Sequence, residues 1–307
     1  PDYRAIFLAC LGWPLIRCIL SHTTSQRPYR LSMNPTLVGK LLKFSWPLML
    51  SGLLLFLVFH GDRAVVGHYF SMHELGFFSL VLTAFLLPSQ LLHKVYDSLF
   101  LSSLSKAFRH RDRFESQQFL IWHSLFALST AYVLFSILLG PWLFIFLFGE
   151  KYEPGLDLLP WIVLMVSVRI LRIATSMLAL ATAKPYCELY ANLVRASALP
   201  IAIIGLAMGY PIECVPIAGI IGEVLALFVG LVSLNLPVSH AVKPPAVSGM
   251  IMLWLASMVF ITAEIVIDIN PPYVSATLAA VLLITMILFF IKQYPKFTIE
   301  RGFQNDV

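Results

Sequence analysis

Apolar residues in this chain run in long blocks, separated by short polar or Pro/Gly-rich stretches. Nine blocks can be drawn: roughly 6–20, 37–60 with an extension to 69, 75–101, 119–148, 158–183, 185–208, 217–236, 246–267 and 273–291. A helix rises about 1.5 Å per residue, so about 20 apolar residues cross a hydrocarbon core of about 30 Å. Most blocks meet that length and the first falls short of it. The pattern predicts an all-α polytopic membrane protein with about nine transmembrane helices.

The polar stretches between blocks are unequal in charge. Counted from the first, the odd-numbered stretches and the tail, taken with Lys40 and Lys43 at the start of the second block, hold thirteen Lys and Arg, and the even-numbered ones, with Arg63, hold two. Basic residues stay on the cytoplasmic side of membrane proteins, so the C-terminus is expected in the cytoplasm and residue 1 on the opposite side. An odd number of spans and a start at Pro1 rather than Met lead us to expect a chain that begins inside a larger protein. The longest polar stretches, near 21–35 and 103–118, are too short for a soluble domain.

Composition agrees. Hydrophobic residues make up 59% and charged residues 12%, against about half and about a quarter in soluble domains. The surplus apolar surface has to face lipid. The net charge of +5 is therefore read as a topology signal, with no nucleic-acid partner expected. Cys10, Cys18, Cys187 and Cys214 form no CxxC pair, and the histidines show no ligand spacing, so neither metal nor cofactor is expected.

Three stretches carry a resemblance. From His60, HGDRAVVGHYFSMHELGFFSLVLTAFLLPSQLL sets Asp62 late in a long helix, then Gly67, a polar loop, and Leu75-Gly76 followed by Phe77 and Phe78. From Leu147, LFGEKYEPGLDLLPWI follows an LFG-x-x-Y-x-x-A turn, with Gly155 where Ala is usual. From Ala179, ALATAKPYCELYANL holds a short loop with Ala183-Lys184 where Gly-Lys is usual. Together these resemble the multidrug/oligosaccharidyl-lipid/polysaccharide exporter superfamily, and within it the bacterial polysaccharide or O-antigen flippases. The resemblance implies that residues 1–36 are the last helix of a first lobe with its cytoplasmic linker. It implies a six-helix C-terminal lobe over 37–236, then two additional helices and a cytoplasmic tail over 237–307.

Ionisable side chains inside membrane spans cost about 2.5–3.5 kcal/mol on insertion scales, so each is a functional candidate. Arg169 and Arg172 share a helix face at i,i+3. With Arg195, Arg63 and Lys94 they are the candidates for a cationic substrate cavity that meets phosphates. That role requires them to face an open, wet chamber. The structural alternative for Arg195 is a salt bridge to another helix, for Arg63 a local pair with Asp62, and for Lys94 an i,i+3 pair with Asp97. Arg17, near a helix end, is expected to snorkel. Asp97 and Glu223 are candidates for ion coupling, and Glu188 and Glu264 are further embedded acids; each serves equally as an arginine partner. Pro47, Pro88, Pro160 and Pro200 mark kinks or helix ends, and Gly205 with Gly209 forms a GxxxG.

The reading that follows is translocation of a lipid-linked oligosaccharide by alternating access in a bacterial inner membrane, for cell-surface polysaccharide biosynthesis. Its partners would be the bilayer, a polyisoprenoid-linked oligosaccharide and other polysaccharide-assembly membrane proteins. No catalytic residue is expected. A drug/cation antiporter of the same superfamily is the alternative, disfavoured by the excess of embedded cations. A membrane glycosyltransferase or polymerase is the second, disfavoured by short loops on the far side.

Overall fold

The computed structural model describes residues 3–24 and 34–234, together with Trp254. The described residues are helical, with no strand among them. They form α1 (Tyr3–Thr24), α2 (Pro35–Tyr69), α3 (Met72–Ala107), α4 (Arg111–Leu138), α5 (Gly140–Phe148), a 3-10 segment (Glu150–Leu158), α6 (Leu159–Ala181), α7 (Pro185–Ala196), α8 (Ala198–Ala207) and α9 (Cys214–Leu234). Six stretches among the described residues are long and apolar enough to cross a membrane. The chain is thus an all-α, multi-pass membrane protein in contact with the lipid bilayer. The blocks at 246–267 and 273–291 lie outside the described residues apart from Trp254, as does Glu264.

The chain divides into two units, Pro1–Lys43 and Phe44–Val307. The first holds α1, where the first apolar block was expected. The second holds the helical bundle and every candidate site residue. Two blocks expected to be single helices are broken there. Pro200 lacks an N–H and its ring opposes the carbonyl four residues back, so α7 stops at Ala196 and α8 starts at Ala198. Pro141 ends α4 at Leu138 in the same way. Gly209 falls past the end of α8 with φ +86°, so it ends a helix and does not pair with Gly205 in a helix contact.

α6 is the bundle's axis: every residue from Ile162 to Ala179 is buried. It packs against α3, α4 and α9, while α7 and α8 run along α9. A helix covered on all sides must satisfy its polar residues from its neighbours, and this sets up the site below. Glycine allows close approach at several places, two of which set helices near the site. A Cβ on Gly222 would lie 2.9 Å from both the Ala198 Cβ and the Arg195 carbonyl oxygen. A Cβ on Gly61 would lie 2.6 Å from Leu199 Cδ1, so α2 meets α8 there.

The Ala183-Lys184 loop shows what the usual glycine would do. Ala183 has φ +55°, a left-handed conformation that costs an alanine about 1–2 kcal/mol. The amides of Ala183 and Lys184 donate to the carbonyls of Leu180 and Ala179, closing the end of α6 as a Schellman turn. Lys184 Nζ donates to the Leu234 carbonyl (2.9 Å), so its charge caps the negative end of α9.

Candidate functional site

The embedded charges separate into two places. The first is a buried ionic cluster at the middle of α6 and α9. Glu223, 1% exposed, receives three arginines. Arg169 Nε donates to its Oε1 at 2.6 Å, Arg195 Nη2 lies 2.7 Å from the same oxygen, and Arg172 Nε lies 3.3 Å from Oε2. Arg172 also reaches Glu188 (3.4 Å) and donates to Asn192 Oδ1 (3.1 Å). Glu188 is held by Ser176 Oγ (2.6 Å) and Asn192 Nδ2 (2.9 Å), and the Asn192 amide extends to Ser51 on α2 (2.6 Å).

α2 reaches this cluster through an aromatic ring. Phe59 lies under the guanidinium carbons of Arg169 and Arg195, 5.1 and 5.3 Å from its centroid. That is cation–π distance, and the interaction strengthens where water is excluded. Asp62, one turn further along α2, is within electrostatic reach of the same two arginines. Three guanidinium groups are therefore set against Glu223, Glu188 and Asp62.

Arg169, Arg172 and Arg195 were expected to face a wet chamber. Their exposures are 9%, 5% and 2%, and their guanidinium groups turn into the bundle. The physical reason is that buried arginines need carboxylates within reach, and α7 and α9 supply them. For Arg195 the interhelical salt bridge is what the structure contains. Glu223, expected as an ion-coupling candidate, is held by all three.

The second place is a cavity of about 220 Å³ between α2 and α3, lined by Phe59, His60, Arg63, Thr83, Leu87 and Gln90 among others. Arg63 Nη2 donates to Thr83 Oγ1 at 2.8 Å, and the Thr83 hydroxyl donates in turn to the Ser79 carbonyl (2.6 Å). The alternative of a local pair with Asp62 shows no direct bond: the bonded partner of Arg63 is a hydroxyl on another helix, with Asp62 within electrostatic reach. Arg63 Nε is buried and makes no hydrogen bond. No carboxylate lines this cavity, and the nearest one in sequence, Asp62, is within electrostatic reach of Arg63.

Thr83, Leu87, Gln90 and Lys94 stand at i, i+4, i+7 and i+11 on α3, and all four are exposed. Lys94 thus continues the polar face one turn beyond the cavity. Its expected pair with Asp97 is not formed: Asp97 Oδ2 lies 3.5 Å from His93 Nε2, its i,i+4 neighbour. The i+4 position overlies a helical residue at least as well as i+3 does, and His93 takes it. A larger cavity of about 590 Å³ between α3, α4 and α5 is lined by no Asp, Glu, Lys, Arg or His. Its Tyr132 hydroxyl is donated to the Phe85 carbonyl (3.0 Å).

Sequence reasoning missed Phe59, Thr83, Gln90, Asn192 and Ser51. Asn192 carried a signal, since it stands four residues after Glu188 on one helix. Phe59 carried none, because a phenylalanine in an apolar helix looks like any other. No metal-binding group of His, Cys, Asp or Glu occurs among the described residues.

The model of a family described as polysaccharide biosynthesis protein matches residues 2–157. No curated protein and no solved structure matches the chain. Arg63, Lys94 and Asp97 lie within the matched residues, and Arg169, Arg172, Arg195 and Glu223 lie beyond them. With half of its length matched in this way, and with membrane-spanning helices carrying the match, the chain belongs to the polysaccharide biosynthesis protein family, which ties it to polysaccharide synthesis or export.

Proposed function

We propose that this protein moves a lipid-linked oligosaccharide across the bacterial inner membrane, and that the polar face of α2 and α3 lines the route. The carrying observation is the run of His60, Arg63, Thr83, Gln90 and Lys94 on the surface of two membrane-spanning helices. Gln90 and Lys94 fall in the middle third of α3, where polar groups exposed to hydrocarbon are costly. Water on that face removes the cost, and a wet face within a membrane protein is a path for a hydrophilic head group.

A sugar carried on a polyisoprenoid phosphate presents dense negative charge. Arg63 offers a guanidinium with no carboxylate in its cavity, and Lys94 offers a flexible ammonium further along the same face. Arg169, Arg172 and Arg195 act from behind that face as a charge-matched core. Asp97, paired with a part-exposed histidine, is the carboxylate more open to ion coupling than Glu223. Transport of this kind needs no catalytic group and no cofactor. The C-terminus is assigned to the cytoplasm, where other polysaccharide-assembly membrane proteins would meet it.

The test is Arg63→Gln and Lys94→Gln, singly and together, in cells that depend on this protein for surface polysaccharide. Surface polysaccharide is measured per amount of inserted protein. The double variant is expected to lose at least about tenfold, since charge-assisted bonds to phosphate are among the strongest. Lipid-linked precursor should accumulate in the inner membrane. Unchanged polysaccharide at unchanged protein level overturns the reading.

A further inference from the structure

The buried cluster and the open cavity share one residue. Phe59 lies under the guanidinium groups of Arg169 and Arg195, and it also lines the cavity that holds Arg63. Phe59 and Arg63 are at i,i+4, so they stack along one face of α2. We infer that Phe59 is a positioning residue: the arginines pinned by Glu223 grip its ring, and that grip sets α2 so that Arg63 meets Thr83 and faces the cavity. The inference rests on the reading of Arg63 as a head-group residue, and it adds a task for a cluster that touches no substrate.

The way α2 is attached supports this. α3, α4 and α9 pack on α6 through extended helix contact, whereas α2 has no comparable contact with any helix. From Phe44 on, the buried residues of α2 are Pro47, Ser51, Val58 and Val66 alone. Trp46, Met49, Leu53, Phe56 and Leu57 are exposed. What fastens α2 near the cavity includes the Ser51–Asn192 bond, the Arg63–Thr83 bond, the Gly61–Leu199 approach, the buried Val58 and Val66, and the ring of Phe59. Of these, the ring stands within one turn of Arg63 and is tied to charge.

The arginines are placed to hold still. Arg169 and Arg195 are tied to a single carboxylate oxygen of Glu223, at 2.6 and 2.7 Å. Their cationic faces are fixed in a site from which water is excluded, which is the condition under which a cation–π contact is strongest. An aliphatic side chain of similar bulk would fill the space and lose the attraction.

The experiment compares Phe59→Tyr, which keeps the ring, with Phe59→Met, which keeps much of the apolar volume. Arg63→Gln is the control. The full chain is purified in lipid nanodiscs, and two quantities are read: binding of inorganic pyrophosphate, and hydrogen exchange of backbone amides in α2 against those in α6 and α9. Phe59→Met is expected to weaken pyrophosphate binding about tenfold, the scale of a desolvated cation–π contact. It should also speed exchange in α2 around residues 57–66 while leaving α6 and α9 protected. Phe59→Tyr should match wild type in both.

If Phe59→Met exchanges like wild type in α2, the inference is overturned whatever the anion affinity. If Phe59→Tyr is as impaired as Phe59→Met, the ring's face is not what acts, and the inference is overturned. If Arg63→Gln weakens pyrophosphate binding and Phe59→Met does not, positioning fails while the transport reading stands. If wild type itself binds no pyrophosphate, the head-group role of Arg63 fails, and the exchange comparison alone decides whether Phe59 holds α2.

Discussion

Arg195 and Arg63 are both guanidinium groups in membrane-spanning helices, and the bundle treats them in opposite ways. Arg195 is buried with Arg169 and Arg172 around Glu223, with Glu188 and Asp62 nearby, so positive charge is matched by carboxylates. Arg63 stands in a cavity whose lining holds no acid, and its bonded partner is the Thr83 hydroxyl. A matched cluster has little charge left for a ligand, and breaking it leaves a buried ion without a partner. An arginine at a cavity whose lining holds no acid can wait for an anion. Number and type of embedded charge therefore do not separate these two regions; the presence or absence of a carboxylate facing the guanidinium does.

That contrast predicts a graded series in stability, from the largest effect to the smallest. Glu223→Gln removes the carboxylate that three buried arginines share. It should cost about 3–5 kcal/mol and appear as loss of folded protein in detergent thermal-unfolding measurements. Near-normal melting would show that the cluster is not charge-matched as described. Gly222→Ala presses a methyl against the Arg195 carbonyl oxygen and the Ala198 side chain. Because backbone cannot move aside cheaply, about 1–3 kcal/mol should be lost in the same assay.

Ala183→Gly has the opposite sign. It relieves a left-handed alanine at the end of α6 and should raise stability by about 1 kcal/mol, read as a higher melting temperature. Arg63→Gln should shift melting least, within about 0.5 kcal/mol, since it removes no ion pair and leaves a cavity lined by other polar groups. Its effect is expected in the proposed transport. If Arg63→Gln unfolded the protein as Glu223→Gln is expected to, the distinction between the two regions would collapse.

Much of the fold was legible in advance. The apolar blocks between Leu37 and Leu234 became the membrane-spanning helices, because a span in lipid must pair its own backbone groups and a long apolar run leaves few other choices. The breaks at Leu139 and Ser197 were also within reach, since Pro141 and Pro200 remove the hydrogen bond that would carry a helix onward. The site was less legible. Arg169, Arg172, Arg195, Arg63 and Lys94 could be named as embedded cations, yet nothing local separates Arg195 from Arg63. Lys94 was weighed as the partner of Asp97, and His93, one residue earlier, is the one that pairs with it.

The chain by itself determined the solvent of this protein, the order of its described membrane-spanning stretches, and which charges had to be placed inside a membrane. Hydropathy and proline chemistry act over one helix, so they can be read along a line. Only the tertiary structure decided which of those charges are silenced. Glu223 is 54 residues from Arg169 and comes from another helix. Whether a carboxylate faces a guanidinium depends on how helices rotate against one another to pack their apolar surfaces, and that choice is made by the bundle as a whole.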